Sequence, residues 1–229
     1  MRLLSLFSGY NTLKDCASSQ DIDCISLDIK NYRCCTKQDL LMDFIDFDFH
    51  VYDHDHFDFI VVGFPCYTTS KASGGFHFLD NAIPLTSSAL KTIEMLERLK
   101  SLLDYFSTAI FLIENPVSAI FSNYHFERIF GVGKFNHFRL YQSEYGHKAF
   151  KHSEFCTNSD LLFLSNPVHR RKGISKSAKF DNLSLKQRQS YPGALCQALI
   201  EYLVKSRENR NTQTGKNSLS QVQFKTMVL

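Results

Sequence analysis

Apolar residues recur in this chain as short continuous runs that alternate with stretches of helical spacing. The continuous runs cover residues 1–7, 24–28, 58–62 and 108–114. Such continuity is typical of strands that are covered on both faces. Between the runs, residues 11–20 and 84–103 carry apolar positions at helical spacing, with Pro84 at the predicted start of the longer helix. The alternation predicts an α/β fold with a doubly wound, mostly parallel sheet.

The second half of the chain is less regular until its last helix. Residues 120–180 are expected to form short strands and loops, with strand candidates at 138–142 and 155–158. Residues 194–205 predict an amphipathic helix. We expect the polar stretch 206–229 to be disordered, because it holds too few apolar residues to pack. The pattern therefore predicts one domain over 1–205 followed by a tail.

Composition narrows the class of protein without identifying a function. A chain of 229 residues suits one domain that can bury a core without disulfides. The formal charge of +3 is too small to identify a partner, although residues 167–179 are basic and hold no acid. No apolar run approaches the roughly 20 residues of a membrane span. The seven cysteines show no C-x-x-C spacing, so we expect a soluble cytoplasmic protein with reduced thiols.

Residues 43–59 alternate acidic and aromatic residues and hold three histidines among them. This composition suggests a metal site, but no spacing typical of metal ligands is present. We therefore predict no metal, and a solvated edge or loop at this segment.

Four predicted strands end in residues that carry chemistry, and in a parallel sheet such ends lie along one edge. These ends are Ser8-Gly9, Asp28, Gly63-Phe64-Pro65-Cys66 and Glu114-Asn115. The first turn holds a single glycine, whereas a dinucleotide loop needs G-x-G-x-x-G. An acid after the second strand suits a ribose diol, so S-adenosylmethionine (SAM), which has no phosphate, meets both conditions. Taken alone, Gly9 also suits a plain strand–helix turn, and Asp28 a helix cap.

Cys66 lies past the end of its strand, on a loop of small hydroxyl residues. A nucleophilic cysteine needs a route to the thiolate and a target within reach. Taken alone, Cys66 is more often an inert thiol, and Glu114 can simply end its strand before Asn115-Pro116. Together, and opposite a SAM site, a thiol and a carboxyl group are what carbon methylation of a pyrimidine ring requires.

The order of these motifs resembles that of the DNA (cytosine-5) methyltransferases, particularly their compact phage-type members. The segments that carry the resemblance are LSLFSGYNTL (4–13), SLDIK (26–30), TKQDLLMD (36–43), VVGFPCYTTS (61–70), FLIENPV (111–117), YQSEYGHKAFKHSEFCTN (141–158) and QRQSYPGALCQALIEYL (187–203). The resemblance covers residues 1–204 in the family's usual order. Ordered co-occurrence of the segments is a far stronger signal than any one of them.

The resemblance implies a Rossmann-like, SAM-dependent catalytic domain over 1–205 that methylates DNA. Cys66 would attack C6 of a flipped cytosine, Glu114 would serve as the acid near N3, and Asn115 would fix the base edge. The implied cofactor-binding residues are Phe7, Ser8, Gly9, Asp28, Ile29, Asp39, Leu40 and Pro65, with Asp39 as the adenine contact. The candidate substrate-binding residues are Lys71, Arg139, Gln142, Lys148, Lys151, Arg170, Arg171 and Lys172.

The chain departs from the family pattern in several places. The second glycine of the first motif is Asn11 or is absent, Tyr67 stands where the family often has Gln, and the Gln-x-Arg-x-Arg motif is not recognisable. The short distance from Glu114 to the final helix predicts a reduced or missing target-recognition domain. Three alternatives stay open: a catalytically silent SAM- or DNA-binding homologue, a tRNA cytosine-5 methyltransferase, and a cysteine hydrolase that pairs Cys66 with His77. The oligomeric state stays open as well.

Overall fold

Nine strands form within the part of the chain that the computed structural model describes, namely residues 1–32, 35–117, 119–131, 133–148, 151–160, 184 and 190–226. Seven of them make one sheet, and two make a separate hairpin. In chain order they are β1 (Arg2–Leu6), β2 (Asp23–Asp28), β3 (Leu40–Leu41), β4 (Phe59–Gly63), β5 (Phe78–Leu79), β6 (Ile83–Pro84), β7 (Ile110–Pro116), β8 (Asn136–Tyr141) and β9 (His152–Thr157).

The main sheet has the strand order β3-β2-β1-β4-β7-β9-β8. The first five strands of this order pair in parallel. β9 runs antiparallel to both of its neighbours. β1 therefore lies inside the sheet, with β2 and β3 on one side of it and β4, β7, β9 and β8 on the other. The prediction of a doubly wound, mostly parallel sheet is therefore confirmed.

Helices cover both faces of the sheet: α1 (Thr12–Ser18), α2 (Ser87–Tyr105), α3 (Tyr124–Phe130) and α4 (Gly193–Thr226). Successive strand residues point to opposite faces. Leu4 and Val62 accordingly lie in one core cluster with residues of α2, whereas Leu3 and Val61 lie in the other with residues of α1 and α4. Burial on both faces explains why the strands appear in the sequence as unbroken apolar runs.

The start of α2 differs from the sequence prediction. Pro84 lies in β6, and the helix begins at Ser87 with Thr86 as its N-cap. The Thr86 hydroxyl accepts a hydrogen bond from the Ala89 N–H at 3.2 Å. Threonine satisfies the free N–H groups of a first helical turn, which explains why the helix starts after it.

The acidic and aromatic segment 43–59 was predicted to be a solvated edge or loop, but part of it is buried in the core. It forms two short 3-10 turns, Phe44–Asp46 and Phe49–Val51. Its acids at 46, 48, 53 and 55 stay exposed. Its phenylalanines enter the core beside α2, namely Phe44, Phe47, Phe49 and Phe57. The phenylalanines of this segment are therefore core residues.

The final helix continues past Ser206, where the sequence predicted disorder. Ser206 is buried and accepts a hydrogen bond from Ser159 at 2.8 Å. Arg207 pairs with Asp58 at 2.7 Å, and Arg210 donates to the Thr108 carbonyl at 2.8 Å. These contacts are polar, so apolar periodicity could not reveal them. None of the helices in the described ranges is long and apolar enough to span a membrane.

Residues 120–160 are more regular than predicted. α3 follows β7, and β8 and β9 complete the sheet. The predicted strands at 138–142 and 155–158 are thus found, with bounds shifted by a few residues. Residues 161–180, the rest of the expected recognition region, lie outside the described residues.

Candidate active site

The carboxyl ends of the parallel strands meet along one edge, as the sequence predicted. β1 and β2 are in register from Arg2 to Leu6, so the turn after Leu6 lies beside Asp28. On the other side, Gly63 lies directly opposite Glu114. The four chemical motifs therefore converge although they are far apart in the sequence.

The first turn uses left-handed backbone at three positions. Phe7, Gly9 and Asn11 have φ values of 54°, 55° and 57°. Asparagine tolerates this conformation better than most side chains, so Asn11 can adopt here a backbone conformation that otherwise favours glycine. Its amide also donates to the carbonyls of Thr36 and Lys37, at 2.9 and 3.2 Å.

Gln38 holds the same turn and was missed by the sequence analysis. Its amide donates to the Gly9 carbonyl at 2.9 Å, and its Oε1 accepts from the Ser8 hydroxyl. The side chain is buried. Position 38 follows no strand or helix pattern, so only the folded chain reveals this contact.

Asp28 lies at the edge with a buried carboxylate. Its Oδ2 accepts from the Gly9 N–H at 2.8 Å and its Oδ1 from the Lys30 N–H at 3.2 Å. Burial raises the pKa of Asp28 above its ordinary value, against the effect of these hydrogen bonds. The adjacent Ile29 is 66% exposed. A carboxylate beside an open apolar side chain suits a nucleoside that offers a diol and a flat ring.

Asp39 is placed differently from the prediction that it contacts adenine. In the β2–β3 register Leu40 lies opposite Leu27, so Asp39 comes before the strand and not after it. Its carboxylate accepts from the Ser26 N–H and hydroxyl at 2.7 and 2.8 Å, and pairs with Lys14. Burial acts to raise the pKa of Asp39, but the hydrogen bonds from Lys14 and Ser26 lower it below the ordinary value. Leu40, also predicted at the cofactor, packs against the core beside α2.

Asp43 is the acid that follows β3, and the sequence analysis did not single it out. It accepts from the Ile45 N–H at 3.2 Å and pairs with Lys91 of α2. It borders a groove that is also lined by Ile45, Asp46, Ser87, Leu90, Lys91 and Glu94. Asp28 ends β2 and lies opposite Leu41, and Asp43 rather than Asp39 is the acid that lies just beyond this end of β3.

Cys66 is partly exposed on the turn that leaves β4 through Pro65. The Ser70 and Thr69 N–H groups donate to its carbonyl at 2.8 and 3.2 Å, so the small hydroxyl residues fold back on the nucleophile turn. Burial raises the pKa of the Cys66 thiol, and Glu114 raises it further, whereas Lys151 lowers it. In the free protein this thiol is therefore predominantly protonated.

Glu114 is buried and accepts hydrogen bonds from three side chains. Its Oε1 accepts from the Ser153 hydroxyl and from Gln142 Nε2, the latter at 3.4 Å. Lys151 Nζ lies 3.8 Å from the same oxygen. Its Oε2 accepts from the Tyr191 hydroxyl at 3.3 Å. Ser153 and Tyr191 are site residues that sequence reasoning missed, although both lie in motifs that carry the resemblance.

Asn115 is fully buried, and both polar atoms of its amide bind backbone. Nδ2 donates to the Phe64 carbonyl at 2.7 Å, and Oδ1 accepts from the Ile120 N–H at 3.3 Å. The family resemblance implied that Asn115 would fix a base edge. In this conformation it instead anchors the backbone two residues before Cys66.

The predicted substrate-binding residues separate into three groups. Gln142 and Lys151 lie beside Glu114. Lys71 and Lys148 are exposed, and Arg139 pairs with the buried Glu154 across β8 and β9 at 3.2 Å. Arg170, Arg171 and Lys172 lie outside the described residues.

Comparison with known proteins gives similarity of fold alone. No family model and no curated protein sequence matches the chain. Among solved structures, a protein described as a DNA modification methyltransferase of an Escherichia coli prophage is 14% identical, with a TM-score of 0.49 over 71% of this chain and 49% of that one. S. pombe Dnmt2 methyltransferase is 13% identical, with a TM-score of 0.49 over 81% and 61%. A variant of Spodoptera frugiperda DNMT2 is 21% identical, with a TM-score of 0.44 over 75% and 53%.

The chain spans about half to three fifths of the length of these structures, from 49% to 61%. Its seven-stranded, mostly parallel sheet with helices on both faces is a doubly wound α/β fold.

Proposed function

We propose that the protein is a SAM-dependent DNA (cytosine-5) methyltransferase with Cys66 as its nucleophile. One observation carries the proposal: a thiol and a buried carboxylate lie at the ends of the adjacent strands β4 and β7. Gly63 pairs directly with Glu114, and the charge of Glu114 acts on the Cys66 thiol. The same sheet edge carries the Gly9–Asp28 turn. Addition to a pyrimidine ring needs this combination of groups.

The residues at the first turn fit SAM. Among the described residues other than Gly9 and its chain neighbours, none has an atom within 4 Å of the position that a Cβ on Gly9 would take, so the turn leaves open space beside the buried Asp28. Asp28 would hold the ribose diol and Ile29 the adenine face, with Asp43 near the end of β3. Bound SAM would supply the methyl group as an electrophile. The turn lacks the glycine-rich loop that a pyrophosphate needs.

The reaction follows from the placement of Cys66 and Glu114. The Cys66 thiolate forms a bond to C6 of the cytosine, and the ring electrons move towards C5. C5 would then take the methyl group that SAM supplies, with S-adenosylhomocysteine as the leaving group. Water would take the C5 proton, and the electrons of that bond would expel the Cys66 sulfur from C6, which restores the ring and the thiolate. Glu114 in its protonated form would donate to N3 of the ring and stabilise the negative charge that develops there, and it would take the proton back when the ring is restored. The base must leave the duplex first, because these groups cannot reach it in the stack.

Lys151 assists the nucleophile in this scheme. The thiolate is the reactive form of cysteine, and both burial and Glu114 oppose its formation. The Lys151 ammonium is the opposing charge, and its side chain is only 16% exposed. A partly buried cation is screened by water less than an exposed one.

Covalent trapping tests the proposal. DNA that carries 5-fluorocytosine should form a SAM-dependent covalent complex with the protein, because fluorine cannot leave C5 as a proton does. Cys66→Ser should abolish the complex, whereas Cys16→Ser, at another partly exposed cysteine, should not. The same trapping experiment on an RNA of the same sequence tests the tRNA alternative, which predicts trapping on the RNA instead of the DNA. Trapping that persists in Cys66→Ser, or no trapping by a wild type that binds SAM and DNA, would contradict the proposal.

A further inference from the structure

Tyr191 places a hydroxyl group between the two strand ends of the site. The residue lies two positions before α4. Its hydroxyl donates to Glu114 Oε2 at 3.3 Å. It also lies 3.6 Å from the position that a Cβ on Gly63 would take. Gly63 is the partner of Glu114 across the strands and precedes Cys66 by three residues, so the hydroxyl lies beside the carboxylate at the end of β4.

The two oxygens of Glu114 differ in what holds them. Oε1 accepts hydrogen bonds from Ser153 and Gln142 and lies near the Lys151 ammonium. Gln142 and Ser153 are fully buried, so an incoming base cannot easily replace them. Among the described residues, Tyr191 is the one hydrogen-bond donor to Oε2. Oε2 is therefore the oxygen that a base can reach, provided that the tyrosine releases it.

The Tyr191 hydroxyl acts as a donor throughout the working pH range. Burial raises the pKa of this hydroxyl well above its ordinary value, and the charge of Glu114 adds to the effect. The Tyr191 ring also lies under Lys151, whose Nζ is 5.7 Å from the ring centroid. The ring has contacts of its own, so the hydroxyl can leave Oε2 without the ring leaving the site.

We propose that Tyr191 is a positioning residue that satisfies Glu114 Oε2 in the empty site and yields this oxygen to the target base. The inference rests on the proposed function. The cytosine amino group offers an N–H donor in place of the tyrosine O–H. The exchange replaces one hydrogen bond by another, and it spares the buried carboxylate an unpaired oxygen at either stage.

Tyr191→Phe tests this role because it removes the hydroxyl and keeps the ring. Without the hydroxyl, Oε2 has no partner in the empty site, so the empty state is destabilised relative to the base-bound state. The KM for DNA at saturating SAM should fall about 3- to 10-fold, the effect of one hydrogen bond, with kcat nearly unchanged. Tyr145→Phe is the matched control, since Tyr145 is buried and its hydroxyl has no hydrogen-bond partner in the described part of the chain. The control should leave both constants unchanged.

A double-mutant cycle shows whether Tyr191 acts through Glu114. In a Glu114→Gln background, which retains slow turnover, Tyr191→Phe should no longer change KM. A tenfold loss of kcat in Tyr191→Phe with unchanged KM would overturn the inference, because the hydroxyl would then serve the reaction itself. Unchanged kcat and KM would also overturn it and leave a packing role. A wild type with no turnover on DNA would contradict the proposed function first, and this inference with it.

Discussion

Lys151 is the residue whose charge most directly favours the reactive form of the nucleophile. The sheet edge draws Cys66 out of water, and the charge of Glu114 further disfavours a negative charge on its thiol. Lys151 lies between the 3-10 turn Gln142–Tyr145 and the start of β9, and its Nζ is 3.8 Å from the Glu114 carboxylate. One ammonium thus opposes two effects that both keep the thiol protonated.

Lys151→Met should shift the alkaline dependence of the reaction. Loss of the ammonium raises the pKa of Cys66 further, so a given thiolate fraction is reached only at higher pH. The rising limb of kcat/KM against pH should move to higher pH, and activity at neutral pH should fall about tenfold for each pKa unit. Lys151→Arg keeps the charge, so its kcat/KM should rise at the same pH as that of the wild type. Lys148→Met should also leave this pH unchanged. If the rising limb stays at the same pH in Lys151→Met, the charge of Lys151 does not act on the Cys66 thiol.

The acids at positions 28, 39 and 43 should differ in their effect on the cofactor. Asp28→Ala should weaken binding of S-adenosylhomocysteine by about 1 to 3 kcal/mol, the effect of a lost charged hydrogen bond. Asp43→Ala should also weaken it, whereas Asp39→Ala should change it little, because Ser26 and Lys14 hold that carboxylate. Calorimetry measures all three. A large loss for Asp39→Ala with none for Asp43→Ala would instead support the assignment made from the sequence.

Residues within one motif could be predicted, but contacts between motifs could not. Asp28, Cys66 and Glu114 follow long apolar strands, so the end of each strand is visible in the sequence. β3 has two residues, which leave no periodic signal, and the choice between Asp39 and Asp43 depends on where it ends. The contact between Glu114 and Tyr191 joins residues 77 positions apart. Both residues lie in quoted motifs, but only the packing of the segment before α4 against the end of β7 brings them together.

At the scale of elements, the sequence revealed those whose stability comes from apolar burial. β1, β2, β4 and β7 bury both faces and were all predicted. The β5–β6 hairpin, with two residues in each strand, is too short to show a period. α3, with seven residues, lies in the region that was expected to form short strands and loops. The end of α4 was missed for a different reason, because polar side chains hold it.

Truncation of α4 should separate these polar contacts from the rest of the helix. A chain that ends at Lys205 loses Ser206, Arg207 and Arg210, and leaves the buried Ser159 without one partner. Its free energy of unfolding should fall by about 2 to 4 kcal/mol, from several hydrogen bonds at roughly 1 kcal/mol each. A chain that ends at Thr212 keeps them and should unfold as the full chain does. Equal denaturation midpoints for both truncations would restore the prediction of a tail from Ser206.

At the scale of the whole molecule, the distribution of charge matters more than its total. The formal charge is +3, yet acids crowd the segment 43–58, and residues 167–179 are basic without an acid. Lys151 lies at the site, and Lys71 and Lys148 are exposed. A protein with little net charge can still bind a polyanion if its cations face one side. The salt dependence of binding measures how many of them do.

The affinity for duplex DNA should fall steeply as salt rises. Each phosphate that a cation neutralises contributes about 0.9 to the slope of log affinity against log salt concentration. Arg170→Ala with Arg171→Ala should therefore lower the slope by up to about 1.8 between about 50 and 200 mM salt, as fluorescence anisotropy can measure. Lys100→Ala with Arg128→Ala removes the same charge from α2 and α3, where both cations already pair with acids, and should leave the slope unchanged. Equal losses for the two pairs would mean that net charge alone governs binding, and the basic stretch would then have no specific role in holding DNA.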